Sequence, residues 1–146
     1  IESLINDFSF LDGWEDRYKY LIELGGQLPR FSDEQKKDEW KVPGCQSQVW
    51  IIPHYSENGI SFEGDSDAII VRGIIAVVLE IFKDKSAQEI LDIDVEEIFD
   101  KMGLREHITP NRRSGMLSMV DKIKYYAAQA LKGQNEYSRI SGKKDF

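Results

Sequence analysis

The sequence predicts an α+β fold, with helices first, then a small antiparallel sheet, then helices again. Three observations carry this expectation. Apolar residues recur at helical spacing near both ends: Ile1, Leu4, Ile5, Phe8 and Leu11, then Leu117, Val120, Ile123, Ala127 and Leu131. Between them, Val49-Trp50-Ile51-Ile52 and the pair Ile60 and Phe62 flank Asn58-Gly59, a strong hairpin signal. The run 68–83 is sixteen residues long and apolar on nearly all sides. It is too long for a typical strand and reads as a buried central helix.

The elements follow in order. A first helix over 1–11 is broken by Asp12-Gly13. Asp12 is expected to cap a second helix, with Glu15 completing a capping box and Pro29 marking the end. Its inner stripe is Trp14, Tyr18, Leu21, Ile22 and Gly25. Residues 31–41 are polar and charged and read as a mobile surface loop. Val42-Pro43-Gly44-Cys45 demands a turn. A strand over 46–52 is limited by Pro53, its partner covers 60–63, and a third short strand follows at 64–66. The expected sheet therefore has about three strands.

Gly64-Asp65-Ser66-Asp67 supplies cap residues for the central helix. Ser86 with Glu89 and Asp94 with Glu97 form capping boxes for two short helices, and Gly103 is a stop. Residues 104–113 read as a loop. The last helix covers about 113–132 and ends at Gly133, leaving residues 134–146 as a frayed polar tail on a single domain, 1–133.

Composition narrows function mainly by exclusion. The 146 residues carry a net charge of −7, with 26 acidic against 19 basic side chains. A dedicated nucleic-acid binder needs a basic face instead. The most apolar run contains Arg72 and Glu80 and falls short of the roughly 20 residues a bilayer demands. A reducing, cytoplasmic setting is expected; the chain begins at Ile1, so a removed targeting segment stays open. One cysteine rules out an internal disulfide, a four-cysteine zinc site and a self-contained cluster site.

Cys45 is thus the prominent candidate. A free cysteine is often a small buried hydrophobe. Here Pro43-Gly44 precedes it and Gln46-Ser47-Gln48 follows, which reads as a presented loop. Reactivity needs donors or cations near the thiol, and loop N–H groups, Gln46, Ser47 and a distant arginine are the candidates. A second polar stretch runs from His107 through Thr109-Pro110-Asn111-Arg112-Arg113 to Gly115. Arg112 and Arg113 oppose the dipole at a helix start unless an acid or other partner offsets them. His54 and His107 have no metal-ligand spacing to Cys45 or to each other, and neither sits in a protease signature. There is no phosphate-binding loop, dinucleotide glycine pattern or serine elbow.

Val42-Pro43-Gly44-Cys45-Gln46-Ser47-Gln48-Val49-Trp50 resembles the cysteine loop of the SufE/CsdE family, sulfur acceptors of iron–sulfur cluster biogenesis. Gly64-Asp65-Ser66-Asp67-Ala68, Ile70-Val71-Arg72-Gly73 with Ala76, and His107-Ile108-Thr109-Pro110-Asn111-Arg112 match the same pattern. So does the stretch from Trp14-Glu15-Asp16-Arg17-Tyr18 to Leu28-Pro29, and the likeness covers about residues 4–131. It implies a SufE/IscU-like sandwich and a thiol that receives persulfide sulfur from a SufS-like, pyridoxal-phosphate cysteine desulfurase. The sulfur would pass on to an iron–sulfur scaffold complex. Pyridoxal phosphate would belong to the partner; this chain would hold no cofactor or metal and act as an accessory protein, as monomer or homodimer. Gly44, Gln46, Ser47 and His107 are candidate supporting or partner-contact residues, and the resemblance adds Asp67 and Arg112. The thiol is expected to rest against the sheet and emerge on docking.

Three other readings share the same thiol. A cluster scaffold of the IscU type has the fold but needs several ligands. A regulator would remodel the desulfurase without accepting sulfur. A one-cysteine peroxidase would turn over peroxide alone.

Overall fold

The structure is a computed structural model that describes residues 1–57 and 59–144, apart from the side chains of His107 and of residues 134–144. Among the described residues, six helices and two strands follow one another. They are α1 (Glu2–Ser9), α2 (Gly13–Gly26), β1 (Val49–Ser56), β2 (Gly59–Ser66), α3 (Ile69–Phe82), α4 (Ala87–Asp92), α5 (Val95–Lys101) and α6 (Pro110–Lys144). Short 3₁₀ turns occupy Asp38–Trp40 and Arg105–His107. The fold is α+β, as the sequence predicts. No helix among the described residues is long and apolar enough to cross a membrane.

α3 lies at the centre, with Ile74, Ile75, Val77, Val78, Ile81 and Phe82 almost wholly buried. An all-round apolar helix must be covered on every side. α2 packs on one face, the sheet and α6 on others. The α2 contact is backbone against backbone. A Cβ on Gly73 would lie 2.3 Å from the Leu21 carbonyl oxygen, and one on Gly25 would lie 2.5 Å from the Gly73 nitrogen. Only glycine permits helices to approach this closely.

Among the described residues the sheet has two strands, not three. β1 and β2 pair antiparallel from Val49↔Ser66 to Ser56↔Gly59, so residues 64–66 are the end of β2. β1 starts at Val49 and runs through Pro53, which pairs with Phe62. In a two-stranded ribbon every strand is an edge, so a residue without an N–H is tolerated. The expected turn residue Asn58 lies outside the described residues.

Several local expectations change. Gly13 enters α2 at a left-handed φ of +82°, and with that entry the Asp12 side chain makes no capping bond. Trp14 and Ile22 are exposed on α2, whereas Leu21 and Gly25 are buried. Residues 31–41 are anchored rather than free: Phe31 is buried, and Lys36 lies over the Trp50 ring. α3 has no side-chain cap; Asp65 and Asp67 are engaged elsewhere. The Ser86–Glu89 capping box forms, as does the Asp94 cap on Glu97, and Gly103 is left-handed at φ +72° after α5.

α6 begins at Pro110, earlier than expected, because Thr109 caps it through its hydroxyl and Pro110 suits a first helical position. It continues past Gly133 to Lys144. A lone glycine costs a helix only about 1 kcal/mol, too little to end one. Its buried side chains include Met116, Met119, Val120, Ile123, Tyr126 and Ala127, with Leu117 and Leu131 only partly covered.

Candidate functional site

The loop 42–49 is closed at its base by strand-like pairing. Lys41 bridges to Trp50, and the Val42 N–H donates to the Val49 carbonyl at 2.8 Å. Val42 is buried and fixes one arm to the core. The turn itself needs Gly44, which is left-handed at φ +79°. Cys45 follows at the tip, partly buried and free.

The thiol rests on α6, not against the sheet as expected. Its S–H donates weakly to the Gly115 carbonyl at 3.7 Å. A Cβ built on Gly115 would lie 3.4 Å from the sulfur, so the thiol packs directly on the helix backbone. A cavity of about 130 Å³ opens beside the thiol, lined by Cys45, Gln46, Ser47, Val49, Val71, Ile74, Asn111, Arg112, Gly115, Met116 and Met119. Among the described residues that line it, β1 contributes Val49. Burial pushes the Cys45 pKa above the ordinary thiol value.

Asp67 ties the outgoing arm of the loop. Its Oδ1 accepts the Gln48 N–H at 3.0 Å, and its own N–H donates to the Gln48 carbonyl at 3.3 Å. It is a loop partner and not a helix cap. Gln46 and Ser47 line the cavity, and Gly44 shapes the turn. Arg112 lines the same cavity as Cys45 from the first turn of α6. The neighbouring Arg113 is offset by Glu96, whose Oε1 accepts from its Nη2 at 2.6 Å. The backbone of His107 lies in the second 3₁₀ turn; its side chain lies outside the described residues. His54 is a surface group paired with Glu63. Among the described residues, no group of three or more His, Cys, Asp or Glu is gathered to hold a metal.

Sequence reasoning marked the polar half of the site and missed its apolar wall. Val71, Ile74, Met116 and Met119 carry ordinary core spacing, and nothing local distinguishes a cavity wall from a packed core. Gly115 was legible only as part of the 107–115 stretch.

Fold and site together define a small α+β protein that presents one thiol on a short loop beside an open cavity. Residues 2–127 match the SufE family, described as the Fe-S metabolism associated domain. The chain is 52% identical over 128 residues to an uncharacterized SufE-like protein of Rhizobium etli, covering 85% of this chain and 86% of that one. It is 48% identical over 128 residues to a second such protein, from Rhizobium meliloti, covering 85% and 91%. The solution structure of a hypothetical protein from Thermus thermophilus shares the fold, with a TM-score of 0.74 at 18% identity over 90% of this chain and 95% of that one. The chain belongs to the SufE family, and its role lies in iron–sulfur metabolism.

Proposed function

We propose that this protein is a sulfur carrier. It accepts a sulfur atom on Cys45 from a pyridoxal-phosphate cysteine desulfurase and delivers it to an iron–sulfur scaffold. The observation that supports this reading best is the placement of the thiol: one cysteine, on a loop tip, beside a cavity of about 130 Å³. An added sulfur would have open space beside the thiol to occupy. The absence of a second cysteine from the sequence helps too, because a neighbouring thiol would resolve the persulfide into a disulfide.

The exchange balances without an added oxidant or reductant. The Cys45 thiol gives up its proton to solvent, and the resulting thiolate attacks the outer sulfur of the desulfurase persulfide. The S–S bond of that persulfide breaks, and the desulfurase cysteine leaves as a thiolate. Cys45 now carries the persulfide. Because burial disfavours the Cys45 thiolate at rest, attack is faster once the loop has left the cavity. Pyridoxal phosphate stays with the desulfurase in this scheme, and this chain supplies only the thiol and the loop.

The test is mass spectrometry after incubation with a SufS-like desulfurase and cysteine. An added sulfur atom on the Cys45 peptide is the expected result. A Cys45→Ser protein that still stimulates the desulfurase fully would overturn the carrier reading in favour of a regulator.

A further inference from the structure

The cysteine loop is held on its outgoing arm by Asp67; on its incoming arm the pairing of Lys41 and Val42 with β1 is joined by Lys122, which belongs to none of the sequence motifs. The Lys122 ammonium donates to the Lys41 carbonyl at 3.0 Å and to the Glu39 carbonyl at 3.3 Å. The Tyr126 ring lies 5.8 Å from the same nitrogen. Lys122 is partly buried, and that burial lowers its pKa. The two carbonyls and the ring face satisfy an ammonium that is partly withdrawn from water.

The placement on α6 gives these contacts a direction. Asn111, Gly115, Ser118, Lys122 and Tyr126 fall three or four residues apart and share one face. Asn111 lines the cavity, Gly115 meets the thiol, and Ser118 lies against Gly44. Lys122 extends that stripe to the strand-like arm entering the loop. Lys124 makes a similar pair of bonds to the Leu91 and Ile93 carbonyls at the end of α4, away from the loop.

We infer that Lys122 is a positioning residue for Cys45: by clamping the Glu39 and Lys41 carbonyls onto α6, it holds the incoming arm so that the thiol stays beside its cavity. The clamp sets how often the loop opens. Its meaning for sulfur transfer rests on the carrier reading above, but its physical content does not.

The test is the rate of Cys45 alkylation by iodoacetamide with no partner protein present. Lys122→Met is expected to react about tenfold faster than the native protein, the factor that ~1.4 kcal/mol of lost restraint produces. Lys122→Arg keeps donors for both carbonyls and is expected to restore the native rate. Lys124→Met is expected to react at the native rate. A native rate in Lys122→Met overturns the inference. So does equal acceleration in Lys124→Met, which would mean general loosening, or in Lys122→Arg. If Lys122→Met does not fold, Lys122→Gln is measured the same way: its shorter neutral side chain does not span both carbonyls, faster alkylation is expected, and a native rate overturns the inference. Persulfide formation on Cys45 with no alkylation effect would sink the clamp and leave the carrier; the reverse pattern would do the opposite.

Discussion

Asp65 and Arg72 form an ion pair inside the protein, with Asp65 Oδ1 accepting the Arg72 Nε–H at 2.8 Å and both side chains less than a tenth exposed. The pair is well bonded. Asp65 also accepts the N–H groups of Phe31 and Ser66, and Arg72 donates to the Leu28 carbonyl at 2.6 Å. One carboxylate and one guanidinium thus join the segment after α2, β2 and α3. The Asp67 contact to the cysteine loop sits two residues further on.

Removing one member leaves the other charged and buried. Asp65→Ala is expected to lower stability by about 3–5 kcal/mol, read from urea unfolding. A loss under about 1 kcal/mol would show that the pair is not a structural centre.

The α2–α3 contact predicts a sharp contrast between Gly73 and Gly26. Gly73→Ala places a methyl within 2.3 Å of the Leu21 carbonyl oxygen, so the helices must separate. The expected cost is about 1–3 kcal/mol, at the upper end because backbone and not a flexible side chain must yield. Gly26→Ala meets nothing within 4 Å and is expected to be neutral or stabilising. Equal urea midpoints for the two variants would contradict the close approach.

The raised pKa of Cys45 predicts a pH effect with a definite sign. The folded state binds the thiol proton more tightly than the unfolded chain does. The group's contribution to stability is then complete below the unfolded thiol pKa. It is lost as pH rises from that value through the higher folded one. Thiolate absorbance is expected to titrate above the ordinary thiol value in the native protein and to fall back to it in denaturant. Cys45→Ser is expected to flatten the alkaline slope of stability; an unchanged slope would refute this origin.

Much of the site was visible in local chemistry. Pro43-Gly44 before Cys45 required a turn, and the φ of +79° at Gly44 is that requirement met. Ser86 with Glu89 bonds as its spacing implies. Asp65 and Asp67 read as caps because an acid before a helix looks the same whether it bonds to the helix or to a chain segment distant in sequence. Asp65 reaches seven residues forward to Arg72, while Asp67 reaches nineteen back to Gln48.

The sequence alone determined the α+β class, the central buried helix, the capped short helices and the thiol on its turn, because each depends on periodicity or on neighbours within about four residues. Only the tertiary structure decided that the thiol rests on Gly115 of α6, that Arg112 shares its cavity, and that Lys122 holds the arm before it. The thiol contact spans seventy residues of chain and the lysine contact to Lys41 eighty-one. They exist because packing α6 across the open side of the core brings a polar stripe of that helix against the loop, and no local pattern records where a helix will be laid.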